Sequence, residues 1–277
     1  MIEIDPQRLM ADLRKLATFG AVGTGVDRPA FSEADIAARR WLEARMREAG
    51  LEAEIDRYGN VYGRSPAASK AVLIGSHTDS VPKGGWLDGA LGVIYGLEIA
   101  RASLERASGA AVDVISFQDE EGRYMPLLGA KSFCGMLGDD DPALAAIGAS
   151  RFATAPARLD HPARHRAYLE AHIEQGPKLE AARRRIGVVT GIVGIRRVRV
   201  TARGQADHAG TTPMAMRKDA AAVLIRLAHA ALERFAALAA ADTVWNIGIV
   251  EVHPGAANVV PARAAMTVEF RDMDAQL

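Results

Sequence analysis

The sequence predicts an α/β fold with a mostly parallel sheet, joined to a smaller α+β domain. Three observations carry that expectation. An apolar run, Val72-Leu73-Ile74, ends in His77-Thr78-Asp79 and reads as a buried strand delivering polar side chains at its C-terminal end. A small-residue helix from Gly89 to about Glu105 precedes Val112–Phe117 as the next strand, and strand, helix, strand at this spacing is a βαβ unit. From Gly187 the texture changes to half-exposed strands around one long amphipathic helix.

The elements follow in order. Residues 6–17 read as a helix with Pro6 near its start and Leu9, Leu13 and Leu16 on one stripe. A Gly-rich turn from Gly20 to Gly25 separates it from a second helix, with Ser32 as N-cap, Asp35 three residues on, and Gly50 as C-cap. Residues 51–62 alternate enough for one or two strands, with Tyr58-Gly59-Asn60 as a turn. Residues 139–166 are Ala-rich, carry several prolines and read as loose helical turns, with His161 and His165 as surface histidines. Val198, Val200 and Ala202 alternate with Arg197, Arg199, Thr201 and Arg203 as a half-exposed antiparallel strand. Ala220, Leu224, Leu227, Ala231 and Phe235 mark the apolar face of a long helix, and residues 244–252 and 264–271 are two further strands. The domain boundary is expected near 187–192, giving domains 1–190 and 191–277.

Composition narrows the class. The 277 residues suffice for one large or two smaller domains. The formal net charge is zero, so nothing points to nucleic acid or an anionic membrane surface. Cys134 is the only cysteine, which excludes an internal disulfide and fits a reducing compartment. The N-terminus lacks a signal-peptide pattern, and no run approaches the roughly 20 apolar residues that span a bilayer. A soluble, cytoplasmic protein is expected.

The chemistry gathers where strands end. In open α/β sheets, ligands sit beyond the carboxyl ends of the strands. His77 and Asp79 fall there, with Asp88 opening the next helix, a donor set suited to a metal such as zinc. The plainer alternative makes His77 a strand cap and Asp88 an N-cap. The next strand ends in Gln118-Asp119-Glu120-Glu121, and adjacent carboxylates at such a position repel unless a cation sits beside them. A solvated acidic turn is the alternative there. His172, in the alternating stretch 168–176, gains weight only beside this cluster.

Seven segments resemble, in order, the M20 metallopeptidase-like amidohydrolases of the N-carbamoyl-L-amino-acid hydrolase, allantoate amidohydrolase and ureidoglycolate branch. They are Gly75-Ser76-His77-Thr78-Asp79, Gly84-Gly85-Trp86-Leu87-Asp88-Gly89-Ala90-Leu91-Gly92, Glu120-Glu121-Gly122, His172-Ile173-Glu174-Gln175-Gly176-Pro177, Asp207-His208-Ala209-Gly210-Thr211-Thr212-Pro213-Met214, Asn258-Val259-Val260-Pro261 and Phe270-Arg271-Asp272. The resemblance implies a metallohydrolase catalytic domain carrying an inserted, ferredoxin-like lid and dimerisation domain. It also implies two divalent ions, zinc or manganese, cobalt or nickel. His77, Asp88 and His172 would hold one; Asp88 would bridge to a second held also by Glu121. Asp79 would orient His77, and Glu120 would be the general base. Gln175, His208, Asn258 and Arg271 would contact a small carboxylate substrate, with His208 acting across a homodimer interface.

The family continues beyond this point into a segment carrying a further metal-binding histidine, whereas here no histidine follows His253. The expectation is therefore a fragment or truncated frame, or a missing part supplied by another chain. Weak second-site metal affinity, little hydrolysis by this polypeptide alone and exposed apolar edges with poor solubility would accompany it. The expected function is hydrolysis of a linear C–N bond in a carbamoyl or ureido carboxylate. The alternatives are a peptidase or deacylase of the same superfamily, or an impaired binding or dimerisation module.

Overall fold

A computed structural model describes residues 3–66, 70–106, 109–138, 140–147, 152 and 162–274. His161 lies outside them. The chain divides into two compact units, Met1–Lys178 and Leu179–Leu277.

Helix α1 (Pro6–Ala17) opens the first unit, with the Asp5 carboxylate accepting the Gln7 and Arg8 N–H groups and Leu9, Leu13 and Leu16 buried. A two-residue hairpin, β1 (Ala21–Val22) and β2 (Gly25–Val26), leads to α2 (Glu33–Glu48). Ser32 caps α2, whose buried stripe is Asp35, Ile36, Arg39, Leu42 and Met46. The helix ends on Ala49 rather than Gly50; Gly50 follows it at φ 87°. The stretch 51–62 opens two separate strands, β3 (Glu52–Ile55) and β4 (Val61–Arg64), the second running two residues past it. Strand β5 (Ala71–His77), helix α3 (Ala90–Glu105) and strand β6 (Val112–Phe117) form the expected βαβ unit. Two short helices, α4 (Leu128–Phe133) and α5 (Pro142–Ile147), and a 3-10 turn at Pro162–Arg164 lead to β7 (His165–Leu169).

The sheet order is β3-β4-β6-β5-β7. It is mixed: β6, β5 and β7 run parallel, and the β3–β4 hairpin extends it antiparallel. The parallel part is central to the site. His77 pairs with Phe117 and Ile74 with Leu169, so β5, β6 and β7 all run out at one edge. Leu13, Leu16, Leu42, Met46, Val93, Ile94, Leu97 and Val114 form the heart of the core. Burying this apolar surface against the sheet is the main favourable term holding the helices in place.

His165 corrects the sequence reading. It is not a surface histidine: its side chain is only 7% exposed, and Nε2 lies 3.0 Å from Asp113 Oδ2. Asp113 also accepts hydrogen bonds from Tyr62 Oη (2.6 Å), Ser65 N (2.8 Å) and Arg164 Nε (2.7 Å). A buried carboxylate demands such partners, and together they anchor the start of β7 to β6.

The second unit begins at Leu179, within the short helix α6 (Lys178–Ala181). It comprises β8 (Gly194–Arg203), β9 (Asp207–His208), α7 (Ala220–Leu238), β10 (Val244–His253), β11 (Val259–Val260) and β12 (Arg263–Asp272). The antiparallel sheet β10-β12-β8 packs under α7 through Leu224, Ala264, Met266 and Val268, and β9 pairs with β11. None of the described helices is long and apolar enough to cross a membrane.

Candidate metal centre

The shared edge of β5, β6 and β7 brings distant residues together. His77 is the last residue of β5, Glu120 and Glu121 follow β6, and His172 and Gln175 follow β7. Asp88 arrives on the loop between β5 and α3. It is not the helix cap: Gly89 holds that position at φ 62°, ψ −45°, and makes no side-chain bond. A Cβ on Gly89 would stand 2.4 Å from the His77 ring, so only glycine lets this turn lie against the imidazole. Gly92 has a similar steric role, since a Cβ there would meet the Ala171 carbonyl oxygen at 2.5 Å. The first turn of α3 thereby tucks against the segment carrying His172.

Two sets of donors converge. One atom each from His77, Asp88 and His172 lies within 4.8 Å of the others, and the same holds for His77, Glu120 and Glu121. His172 Nε2 stands 3.2 Å from Asp88 Oδ1, and His77 Nε2 stands 3.7 Å from Glu120 Oε2. The two imidazoles are stacked, with centroids 6.1 Å apart. Each ring is turned the same way. Nδ1 of His77 faces the Asp79 carbonyl at 3.0 Å and Nδ1 of His172 faces the Ile173 carbonyl at 2.8 Å. A carbonyl accepts only, so both Nδ1 atoms carry hydrogen and both Nε2 atoms turn to the cluster. This is the arrangement that fixes the tautomer of a metal-binding histidine. The Asp79 carboxylate is a second contact, with Oδ1 3.7 Å from His77 Nδ1 and Oδ2 accepting the Glu121 N–H at 3.2 Å. Gln175 Nε2 donates to Asp88 Oδ2 at 2.7 Å.

The charges confirm a crowded anionic site. Burial opposes a charged His77, but Asp79, Glu120 and Glu121 outweigh it and push its pKa up to about 9. Burial raises the Glu120 and Glu121 carboxyls above the usual range, against the pull of His77, with neighbouring carboxylates adding to the rise. The hydrogen bond from His172 holds Asp88 below its ordinary value and lifts His172 in turn. Carboxylates crowded together repel one another, and beside imidazole nitrogens they suit a divalent cation, which would relieve the repulsion.

Sequence reading missed the support around these groups. Arg28, 1% exposed, donates from Nε to the Thr78 carbonyl at 2.6 Å and from Nη1 to the Leu16 carbonyl at 2.8 Å. Arg39 lies beneath Asp79, and Gln118 Nε2 donates to Asp35 Oδ2 at 2.8 Å. A signal existed. Asp35, Arg39, Leu42 and Met46 share the spacing of one helix face, so the charged pair sits on the apolar stripe of α2. Glu170 was also passed over; it accepts from Ser76 Oγ at 2.5 Å and Tyr168 Oη at 2.6 Å.

The other expected site residues lie in the second unit. His208 and Asn258 are brought together there, since His208 pairs with Val259 and the Ala209 N–H donates to the Asn258 carbonyl at 2.9 Å. Gly210 N–H donates to His208 Nδ1 at 3.1 Å, which leaves the hydrogen of a neutral ring on Nε2. Arg271, on β12, bonds Glu269 through Nε at 2.7 Å.

An α/β sheet edge gathering imidazoles and carboxylates is followed by a separate antiparallel unit, and each part matches a peptidase-type family model. Residues 60–151 match the family model of peptidase family M28, and residues 190–276 match that of the peptidase dimerisation domain. The chain is 37% identical to the N-carbamoyl-L-amino-acid amidohydrolase of Paenarthrobacter aurescens, over 96% of this chain and 69% of the relative. It is 35% identical to the allantoate amidohydrolase of Escherichia coli K12, over 97% of this chain and 70% of the relative. A solved hydantoinase/carbamoylase family amidase from Burkholderia phymatum is 48% identical with a TM-score of 0.78, over 100% of this chain and 71% of that one. The chain belongs to this family of amidohydrolases, enzymes that cut amide C–N bonds.

Proposed function

We propose that the protein hydrolyses a linear C–N bond in a carbamoyl or ureido group borne by a small carboxylate, of the N-carbamoyl-L-amino acid, allantoate or ureidoglycolate kind. The observation that carries this reading is the convergence of His77, Asp88, His172, Glu120 and Glu121 at one sheet edge. We assign the donors to two divalent cations, zinc or manganese, cobalt or nickel. His77, Asp88 and His172 would hold one, and Asp88 with Glu121 the other. Bound there, such ions would supply the positive charge that acidifies water and polarises a carbonyl.

The chain's own groups do the rest. Glu120 accepts a proton from the attacking water and returns it to the nitrogen that leaves as the C–N bond breaks. Its pKa, raised by burial, brings it toward the working pH, as a proton shuttle requires. Asp79 holds His77 in register, and Gln175 steadies Asp88 and stands ready to meet substrate. Substrate contacts in the second unit are assigned to His208, Asn258 and Arg271. His208 offers its Nε2–H, and Asn258 its amide, to a carbonyl oxygen as charge develops. The Arg271 guanidinium suits bidentate capture of a carboxylate. We place the domain boundary at 190–191 and assign the dimerisation match to a homodimer. A reducing, cytoplasmic location suits the single free thiol of Cys134.

Glu120→Gln tests the assignment. Ammonia release from N-carbamoyl amino acids and from allantoate should fall by about 10²- to 10⁴-fold. Manganese binding should persist, because Glu120 is the proton carrier rather than a principal ligand, whereas His77→Ala should lose it. Undiminished turnover in the Glu120 variant, or metal retained without His77, would refute the reading.

A further inference from the structure

The two halves of the donor cluster leave the sheet on different strands, His77 from β5 and Glu120-Glu121 from β6. A single buried guanidinium lies beneath both. We propose that Arg39 is a positioning residue of the metal centre, fixing the separation of His77 from the Glu120–Glu121 pair through Asp79. The inference rests on the metal-centre reading above.

The Arg39 and Asp79 side chains are both 0% exposed. Arg39 Nε donates to Asp35 Oδ1 at 2.9 Å, which anchors the fork to its own helix. Nη1 donates to the carbonyls of Gly59 at 3.0 Å and Ser116 at 3.3 Å, and Nη2 to the carbonyl of Phe117 at 3.1 Å. Ser116 and Phe117 are the last residues of β6, so the guanidinium grips the strand end from which Glu120 and Glu121 emerge. Nη2 also faces Asp79 Oδ1 at 3.6 Å. That oxygen accepts no hydrogen bond among the described residues, and the groups that face it are the Arg39 guanidinium and the His77 Nδ1–H. Asp79 spans the rest of the distance, because Oδ2 takes the Glu121 N–H while its carbonyl and Oδ1 face His77 Nδ1. One planar fork therefore ties α2, the turn at Gly59, the end of β6 and the carboxylate behind both ligand groups.

Chemistry argues against a role in packing alone. Burying a guanidinium and a carboxylate carries a desolvation cost that an apolar side chain avoids, and Leu42 and Met46 fill the next turns of the same stripe. What an apolar residue cannot do is hold four acceptors in a plane. Lysine cannot do it either, since its ammonium is a point charge without a fork.

The test is titration of the metal-free protein with Mn²⁺ alone, read by calorimetry, alongside urea denaturation. Arg39→Lys should weaken Mn²⁺ binding by about 10- to 100-fold, the loss typical when support behind a ligand is removed. Asp35→Asn, which leaves Arg39 in place but removes its charged anchor, should weaken binding by a smaller factor and serves if the lysine variant does not fold. Leu42→Ala makes none of these hydrogen bonds. It should lose stability yet bind Mn²⁺ as the wild type does. Unchanged affinity in the folded Arg39 or Asp35 variant, or equal weakening in Leu42→Ala, would overturn the proposal. Failure of the wild type to bind Mn²⁺, or equal binding by His77→Ala, would instead overturn the metal-centre reading on which it rests.

Discussion

Replacing Gly89 by alanine puts a methyl group into the face of His77. The added Cβ would lie 2.4 Å from both Cδ2 and Nε2 of the ring, where ordinary contact begins at 3.4 Å. The imidazole, or the turn itself, must therefore withdraw by about 1 Å, the difference between those two distances. The backbone adds its own penalty: φ 62° with ψ −45° lies outside the conformations open to a residue with a side chain, a strain of about 1–3 kcal/mol. Overpacking contributes about 1–3 kcal/mol more, giving about 2–6 kcal/mol in all. Gly23 supplies the control. It too has positive φ, 55°, but a Cβ there meets nothing within 4 Å, so Gly23→Ala should cost only the backbone share. Urea midpoints of the two metal-free variants measure the difference, and Mn²⁺ titration measures what the shifted ring does to binding. Gly89→Ala should bind at least about tenfold more weakly, and Gly23→Ala as the wild type does. Equal stability loss in the two variants, or wild-type affinity in Gly89→Ala, would show that the close approach to His77 is not what the glycine provides.

Acidity should govern metal uptake. Against burial, the neighbouring carboxylates push the His77 pKa up to about 9 in the metal-free site, and His172 is raised as well. A metal takes the neutral rings, so affinity should climb at least about tenfold per pH unit from 6.5 and level off above 9. A flat profile over that range would contradict it. The same shift has a stability sign. A histidine pKa raised on folding adds stability that is complete below the unfolded value of 6.5 and fades as pH rises through 9, about 3 kcal/mol in all. Chemical denaturation of the metal-free protein across that window should show the decline, and His77→Gln should flatten it. Asp113→Asn removes a buried charge that Arg164, His165 and Tyr62 surround, and should cost about 3–5 kcal/mol. Because Asp113 lies toward the opposite end of β6 from Glu120, Mn²⁺ affinity should hold; a fall would show that the two ends are coupled.

Much of this was legible before folding. The helices at 6–17 and 220–238, the βαβ unit and the antiparallel second unit follow from apolar spacing, which records which face of each element meets the core. His77, Asp88, Glu120 and Glu121 could be picked out because they stand where parallel strands and their loops end. His172 was weaker, since its significance depends on β7 lying beside β5, and nothing local to residues 165–169 says so. His165 misled for the same reason: its neighbours in sequence are polar, and the groups that bury it come from β4, β6 and the turn at Arg164. Asp35 and Arg39 carried a readable sign in their helical spacing, but only burial distinguishes a structural ion pair from an exposed one.

By itself, then, the sequence determined the elements, their buried faces and the inventory of donors, because periodicity and residue chemistry are local properties. Strand order and register were decided by tertiary structure alone. They place His77 opposite Phe117 and Ile74 opposite Leu169, and so bring side chains from residues 77, 88, 120, 121 and 172 to one edge. They also put Arg39 beneath that edge and leave glycine as the only residue that fits at position 89. The physical reason is that proximity between distant residues depends on how faces pack and strands pair, and that is a property of the whole chain.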